Sequence, residues 1–365
     1  MVHSTTVAVS SAIAALLCWQ SFPPPSTTPI HGWTHPDFIP VLRDFQANFD
    51  ENMEREGASV AIYHRGEAVA SLVVAILVDR GVIHYDDFVV THWPEYGQNG
   101  KNATTIEDVL THKAGLPYLE ERIEQSEVGT AKLRQKLERA IPVWEPGTAS
   151  GYHAVTFGFI IDEIVKKVDG RDAATFFREE VAERHDLDVS IGVPHNEMHR
   201  SARITLPDTV EDVARDPRLL AMLGIMYARF DGILEKVLAT HSWINFGYDM
   251  LTLNDPAVAS LPLAAGQLVS NSTLSLLTRP TLSSWHIERV VLYPMMKGHG
   301  FFYEPHPRVP GAFTWGHPGY GGQMVHVDPV SELVFVYLSN GLKTGSGELC
   351  WPSKRILNTL YNIIS

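Results

Sequence analysis

The chain has 365 residues, 45% hydrophobic and 19% charged, which is enough apolar surface for a folded core and too little charge for a polyampholyte coil. Its 29 Lys and Arg against 42 Asp and Glu leave a net charge of −13, and the densest basic stretch, Lys132 to Lys136, runs into Glu138 as on a solvated helix face, so no nucleic-acid partner is expected. Two cysteines, Cys18 and Cys350, exclude a disulfide framework and a structural zinc site.

Val7 to Trp19 is an apolar run too short to span a bilayer, within the length of a signal-peptide core, but no Lys or Arg precedes Arg43. Residues 1–36 are therefore expected to be a signal-like or disordered segment ending in a Pro-rich linker, consistent with secretion or organelle import and without a transmembrane span. Folded sequence is expected from Asp37, where Val41, Leu42, Phe45, Phe49 and Met53 recur at helical spacing. Ala58 to His64 reads as a strand, and Ala68 to Arg80, apolar nearly all round and stopped by Gly81, as a helix buried on every side. That junction is odd, because a first strand normally meets a hairpin partner before so deeply buried a helix.

Thr104 to Asp108 offers a capping box for a short helix, Ala131 to Ala140 a charged surface helix, and Phe157 to Val168 an amphipathic one, with another from Asp172 to about His185. From Gly311 the period switches to two: a strand through Phe313 and Trp315, a Gly-rich turn, Gln323 to Val327, the turn at Asp328-Pro329, then Leu333 to Leu338. A last helix enters at Pro352. The pattern predicts an α+β fold, an antiparallel sheet flanked by helices, with its α/β part over about 37–90 and 300–365 and an inserted all-helical region over about 91–299.

Three segments carry candidate chemistry. In Trp144-Glu145-Pro146-Gly147-Thr148-Ala149-Ser150-Gly151-Tyr152-His153-Ala154 a Pro-Gly turn delivers Tyr152 to the lip of a helix, where neighbouring cations would make its phenol a base. In Trp315-Gly316-His317-Pro318-Gly319-Tyr320-Gly321-Gly322 clustered glycines let the backbone approach a ligand; each segment alone reads equally as an ordinary packed Tyr and a tight hairpin turn. The third is Leu110-Thr111-His112-Lys113-Ala114-Gly115-Leu116-Pro117.

In this order and at these separations the three segments resemble the serine β-lactamase and penicillin-binding-protein superfamily, in its class C-like and esterase-like branch and the β-lactamase-like proteins of animals. The resemblance implies a β-lactamase-like fold from about Asp37 to the C-terminus, a small-molecule ester or amide substrate cleaved through an acyl-enzyme, and no cofactor. It places the catalytic Tyr on Tyr152, the far-wall Lys/His-x-Gly motif on His317 and Gly319, and an oxyanion N–H on Tyr320. It also implies a nucleophile in Ser-x-x-Lys at the start of a buried helix, which this chain lacks. The residues three before its ten lysines are Gln98, Leu110, Gly129, Leu133, Glu163, Ile164, Ile233, Pro294, Asn340 and Trp351. His64 stands where the Ser is expected and Glu67 where the Lys is expected. The odd junction thus coincides with an apparent excision on the order of a few tens of residues, missing one strand and the start of the nucleophile helix, with a second shortening near Pro262 to Gln267.

Candidates for a substitute nucleophile are weak: Lys343-Thr344-Gly345 matches a superfamily motif by letter but is expected in a surface loop, Ser59 has no helix directly after it, and Ser150, the best-placed hydroxyl two residues before Tyr152, has no Lys beside it and is expected to be a turn residue. His195 and His199 are four apart, yet the Pro-led segment around them reads as irregular and no metal site is expected. The expectation is a hydrolase-family chain without serine-dependent turnover, as a truncated or spliced form of an active hydrolase or a pseudoenzyme, the alternative being a non-catalytic ligand-binding or assembly protein on the same fold. The missing strand would leave an open sheet edge and favour self-association.

Overall fold

The computed structural model describes residues 28–64, 73–227, 231–245, 250–259, 276–282, 287–291 and 294–364. The signal-like run, Glu67 with the start of the buried helix, and the 262–267 shortening lie outside the described residues.

Among the described residues six strands form one antiparallel sheet in the order β1-β6-β5-β4-β3-β2: β1 (Ala58–His64), β2 (Met296–Gly298), β3 (Phe301–Pro305), β4 (Phe313–Pro318), β5 (Met324–Asp328) and β6 (Leu333–Ser339). The mixed helix and antiparallel-sheet class and the strands read from alternation are therefore as expected. β2 and β3 were not expected. Their turn is His299-Gly300, with φ +52° and +93°, two left-handed residues that match the twist of a two-residue hairpin. His in place of Asn or Asp at the first turn position hides that signal in the sequence.

One face of the sheet is covered by the two ends of the fold. Val41, Phe45 and Phe49 of the Ile39–Asp50 helix and Ile356 and Leu360 of the Trp351–Ile363 helix pack on Met324, Phe335 and Tyr337. Among the described residues β1 is the outer strand on its side; its Ala58, Val60 and Ile62 join that core while Ser59, Ala61 and Tyr63 are exposed. The opposite face is filled by Met296, Phe301, Tyr303, Trp315, Val327 and Val334. β4 and β5 approach so closely that a Cβ on Gly316 would lie 1.9 Å from the Val325 carbonyl oxygen, which is why that position takes glycine.

Between β1 and β2 the chain is mainly helical. Val73–Asp79 has Val73 to Leu77 buried, as its apolar run predicts, and packs with the Thr156–Val168 helix into the largest core. The segment after Asp172 is helical from Ala173 to Phe177 and passes into a π turn over Arg178–Ala182. His195 and His199 lie in a 3₁₀ helix, where residues three apart eclipse, so the pair four apart does not share a face as it would on an α-helix. No helix among the described residues is long and apolar enough to cross a membrane.

The Lys343 expectation needs correction. The segment does follow the last strand, but Lys343 and Thr344 are buried, not in a surface loop. The Lys343 ammonium donates to the Glu54 carboxylate, to Ser339 Oγ at 2.7 Å and to the Gly341 carbonyl at 2.6 Å, while Tyr337 donates to Glu54 Oε1 at 2.6 Å. An opposite charge and full hydrogen bonding make that lysine's burial tolerable.

Candidate active site

The site grows from the short helix Ile106–Leu110. Thr105 caps it: its hydroxyl accepts from the Asp108 N–H at 3.0 Å and its own N–H donates to the Asp108 carboxylate at 3.1 Å. At the other end the N–H of His112 donates to the Val109 carbonyl and that of Lys113 to the Asp108 carbonyl, the paired closure of a Schellman motif. His112 therefore occupies the left-handed position, φ +60°, usually given to glycine. The backbone cost of a side chain there, of order 1 kcal/mol, is accepted by a residue whose ring fills the site floor.

His112 is buried, and its ring meets Tyr152 edge-on at 5.0 Å between centroids, Phe157 at 4.9 Å and Phe302 at 6.3 Å. Desolvation, then the neighbouring Lys297, His153 and His317, hold it well below the usual histidine pKa, so it is neutral. The Trp144–Ala154 turn is anchored on the same helix end: Gly151 N–H donates to the His112 carbonyl at 3.0 Å, and a Cβ on Gly151 would lie 2.5 Å from the Trp144 ring. His153 is buried; its Nε2 accepts from Leu116 N–H at 2.9 Å, which leaves the proton on Nδ1, 2.5 Å from the Gly151 carbonyl. Burial pushes its pKa down to about 3.

The far wall is β3 and β4. Phe302 stacks edge-on against His317 at 5.0 Å, and Tyr152 lies 6.2 Å from Phe302 and 6.4 Å from His317. Tyr152 and His317, 165 residues apart in sequence, thus stand side by side. His317 keeps solvent-accessible surface, but its ring lies against Phe302 and Tyr152, and the desolvation lowers its pKa to about 4. Gly319 follows, its N–H donating to the Gln323 carbonyl at 2.8 Å, and Tyr320 is half-exposed beyond it, opposite Ser346.

Tyr152 does not have the electrostatics its sequence motif suggests. Desolvation first, then the Glu288 charge, raise its pKa, so the phenol keeps its proton. The cation nearby is turned elsewhere. Lys297, the middle residue of β2, stands opposite Phe302 in the β2–β3 ladder, with its ammonium 5.6 Å from that ring, and donates to Ser150 Oγ at 2.9 Å. The Ser150 hydroxyl in turn donates to the Thr111 carbonyl at 2.8 Å. The expectation that Ser150 has no lysine beside it is thereby corrected: the partner is 147 positions away, delivered by the hairpin that the sequence reading missed. Burial lowers the Lys297 pKa to about 8, with Glu288, 3.9 Å away, acting against that shift.

Glu288 completes the inner layer. It is fully buried and accepts from the N–H groups of Tyr152, Val290 at 2.9 Å and Val291 at 2.6 Å. Neither it nor Lys297 and Phe302 carries a local sequence signal; only the fold brings them to Tyr152. No group of three or more His, Cys, Asp or Glu suited to a metal ion occurs among the described residues.

A model of the beta-lactamase family matches residues 68–358, beginning directly after Glu67. The chain is 28% identical over 301 residues to the esterase/beta-lactamase LipL of Mycobacterium tuberculosis, covering 77% of this chain and 69% of that protein. Among solved structures it is similar to a family VIII carboxylesterase, 25% identical with a TM-score of 0.72, over 90% of this chain and 100% of that one. EstA from Arthrobacter nitroguajacolicus shares the fold, at 23% identity and a TM-score of 0.70, over 91% of this chain and 100% of its own.

Proposed function

This chain belongs to the beta-lactamase family, and we propose that it keeps an ester-type cleft of that family without the family's acylation chemistry. The cleft is the cluster of Tyr152, His112, Phe302 and His317, with Gly319 and Tyr320 at its rim. The observation that carries the loss is Tyr152 itself: a phenol that is to act as base needs a cation beside it, and here burial and Glu288 raise its pKa while Lys297 points to Ser150. The sequence has no Ser-x-x-Lys to supply that cation or the nucleophile. Removing a nucleophile leaves at most the residual catalysis of an oxyanion hole, and half of such a hole is the nucleophile's own N–H.

Two side chains favour esters over β-lactams as the compounds the cleft accepts. His317 stands where related sites use a Lys whose permanent charge holds a carboxylate, and Ala154 where they use an Asn that bonds an amide. The homology to an esterase/beta-lactamase and the likeness to a carboxylesterase structure support the same choice.

The start of the family match at Ala68 and the outer position of β1 support an excision at the Glu67–Ala68 junction. Sequencing the transcript across those codons tests this: an inserted segment encoding Ser-x-x-Lys would restore the hydrolase. β1 has no charged residue and no proline to guard its outer edge, so association through it follows from the same excision. The functional test is hydrolysis of short-chain p-nitrophenyl esters and a chromogenic cephalosporin; saturable steady-state turnover by the purified chain overturns the proposal.

A further inference from the structure

We propose that Ser150 and Lys297 form a covalent acyl-acceptor site, one that takes a small activated ester or an organophosphorus ester once and holds it. The inference rests on reading the cleft as an acyl-group site, and it concerns a serine and a lysine that the family's Ser-x-x-Lys does not include.

The geometry supplies both halves of an activated nucleophile. Lys297 Nζ lies 2.9 Å from Ser150 Oγ, and Ser150 is two residues before Tyr152 in the turn that forms the cleft lip. The lysine comes from the middle of a β-ladder, and Ser150 is fixed from the other side by the Arg289 N–H, which donates to its carbonyl at 2.9 Å. While Lys297 is an ammonium it donates to Oγ, and the hydroxyl proton goes to the Thr111 carbonyl at 2.8 Å. In that form the serine is inert. Loss of one proton from Lys297, whose pKa burial brings down to about 8, frees a lone pair, and the hydroxyl can turn from Thr111 to Nζ.

The step then balances. Oγ attacks the carbonyl carbon or the phosphorus, a new ester bond forms, and the hydroxyl proton passes to Nζ. The bond to the leaving group breaks and p-nitrophenolate or fluoride departs as the anion, leaving Lys297 an ammonium. Ser150 and Lys297 are only 3% and 1% exposed. Reaction therefore requires the packing around the pair to open, which restricts it to small groups and makes it slow. The same closure keeps water from the adduct, so the product is a modified protein and not turnover.

The test uses the full chain incubated with p-nitrophenyl acetate and, separately, with diisopropyl fluorophosphate, followed by intact mass and peptide mapping. The expected result is one adduct per chain on Ser150, absent in Ser150→Ala. Its rate should rise about tenfold per pH unit below pH 8 and level off above, following the amine form of Lys297. Lys297→Met should slow labelling about 10²–10⁴-fold; if that variant does not melt cooperatively, the wild-type pH profile decides instead. A folded wild-type chain unmodified at Ser150, labelling there that ignores pH between 6 and 9, or labelling unchanged in folded Lys297→Met would overturn the proposal. Steady-state turnover through Ser150 would overturn both the held adduct and the loss of turnover proposed above, whereas an unmodified Ser150 without turnover would overturn this site alone.

Discussion

Replacing Glu288 by Ala tests whether the inner layer holds the site together. The side chain is fully buried, and its carboxylate serves the N–H groups of Tyr152, Val290 and Val291 as well as facing Lys297 at 3.9 Å. Each buried donor left without a partner costs about 1–3 kcal/mol, and removing one member of a buried ion pair costs about 3–5 kcal/mol. Water entering the vacated space recovers part of this, so the expected loss for Glu288→Ala is about 4 kcal/mol. Glu288→Gln keeps the volume and one acceptor oxygen, and about 2 kcal/mol is expected. The assay is equilibrium urea unfolding followed by tryptophan fluorescence. The sharper arm is a double-mutant cycle with Lys297→Met: if an unpaired ammonium is the main penalty, the second substitution should recover at least about 1 kcal/mol of the loss. A Glu288→Ala protein within about 1 kcal/mol of wild type would refute the reasoning, because a carboxylate with these contacts cannot be that dispensable.

Other expectations follow from the same structure. Acidification from pH 6.5 to 5 should destabilise the fold: burial lowers the pKa of His153 to about 3 and of His241 and His326 to about 4, with His112 also depressed, so the unfolded chain binds protons that the folded chain cannot. Stability is then lost as pH falls, by up to about 1.4 kcal/mol per pH unit per group; urea midpoints that do not move over this range would contradict it. Cys350 is buried and its thiol is pushed up to about 12, so iodoacetamide should spare it in the native protein and modify it in urea, as read by peptide mapping. Ala61→Lys places a charge on the exposed face of β1, and sedimentation should show weaker concentration-dependent association than wild type; an unchanged or purely monomeric wild-type profile would count against the open edge.

The parts of the fold legible in the sequence are those in which one local period dominates. β1 was read with both ends in place, and β4 to β6 emerged from alternation bounded by Gly-rich and Asp-Pro turns. β2 and β3 did not, because a three-residue strand shows no alternation and a His-Gly turn lacks the usual Asn or Asp. That one omission hid the chemistry of the site, since β2 and β3 bring Lys297 and Phe302 to the Tyr152 turn. The motifs single out Tyr152 and His317, and the fold brings their rings within 6.4 Å, but their electrostatic setting is invisible in the sequence. Which charges surround a phenol is decided by long-range packing, as where Glu288 accepts from the Tyr152 backbone N–H, 136 positions apart. Exposure was misjudged for the same reason at Lys343, whose carboxylate partner Glu54 comes from the far end of the chain.

The most direct measurement of the central claim is the amount of p-nitrophenol released with time by a known quantity of the purified chain given excess p-nitrophenyl acetate. A ledge at no more than one equivalent per chain, with nothing above buffer hydrolysis afterwards, is the expected result. Linear, saturable release of many equivalents would contradict it and show that the cleft turns over without Ser-x-x-Lys.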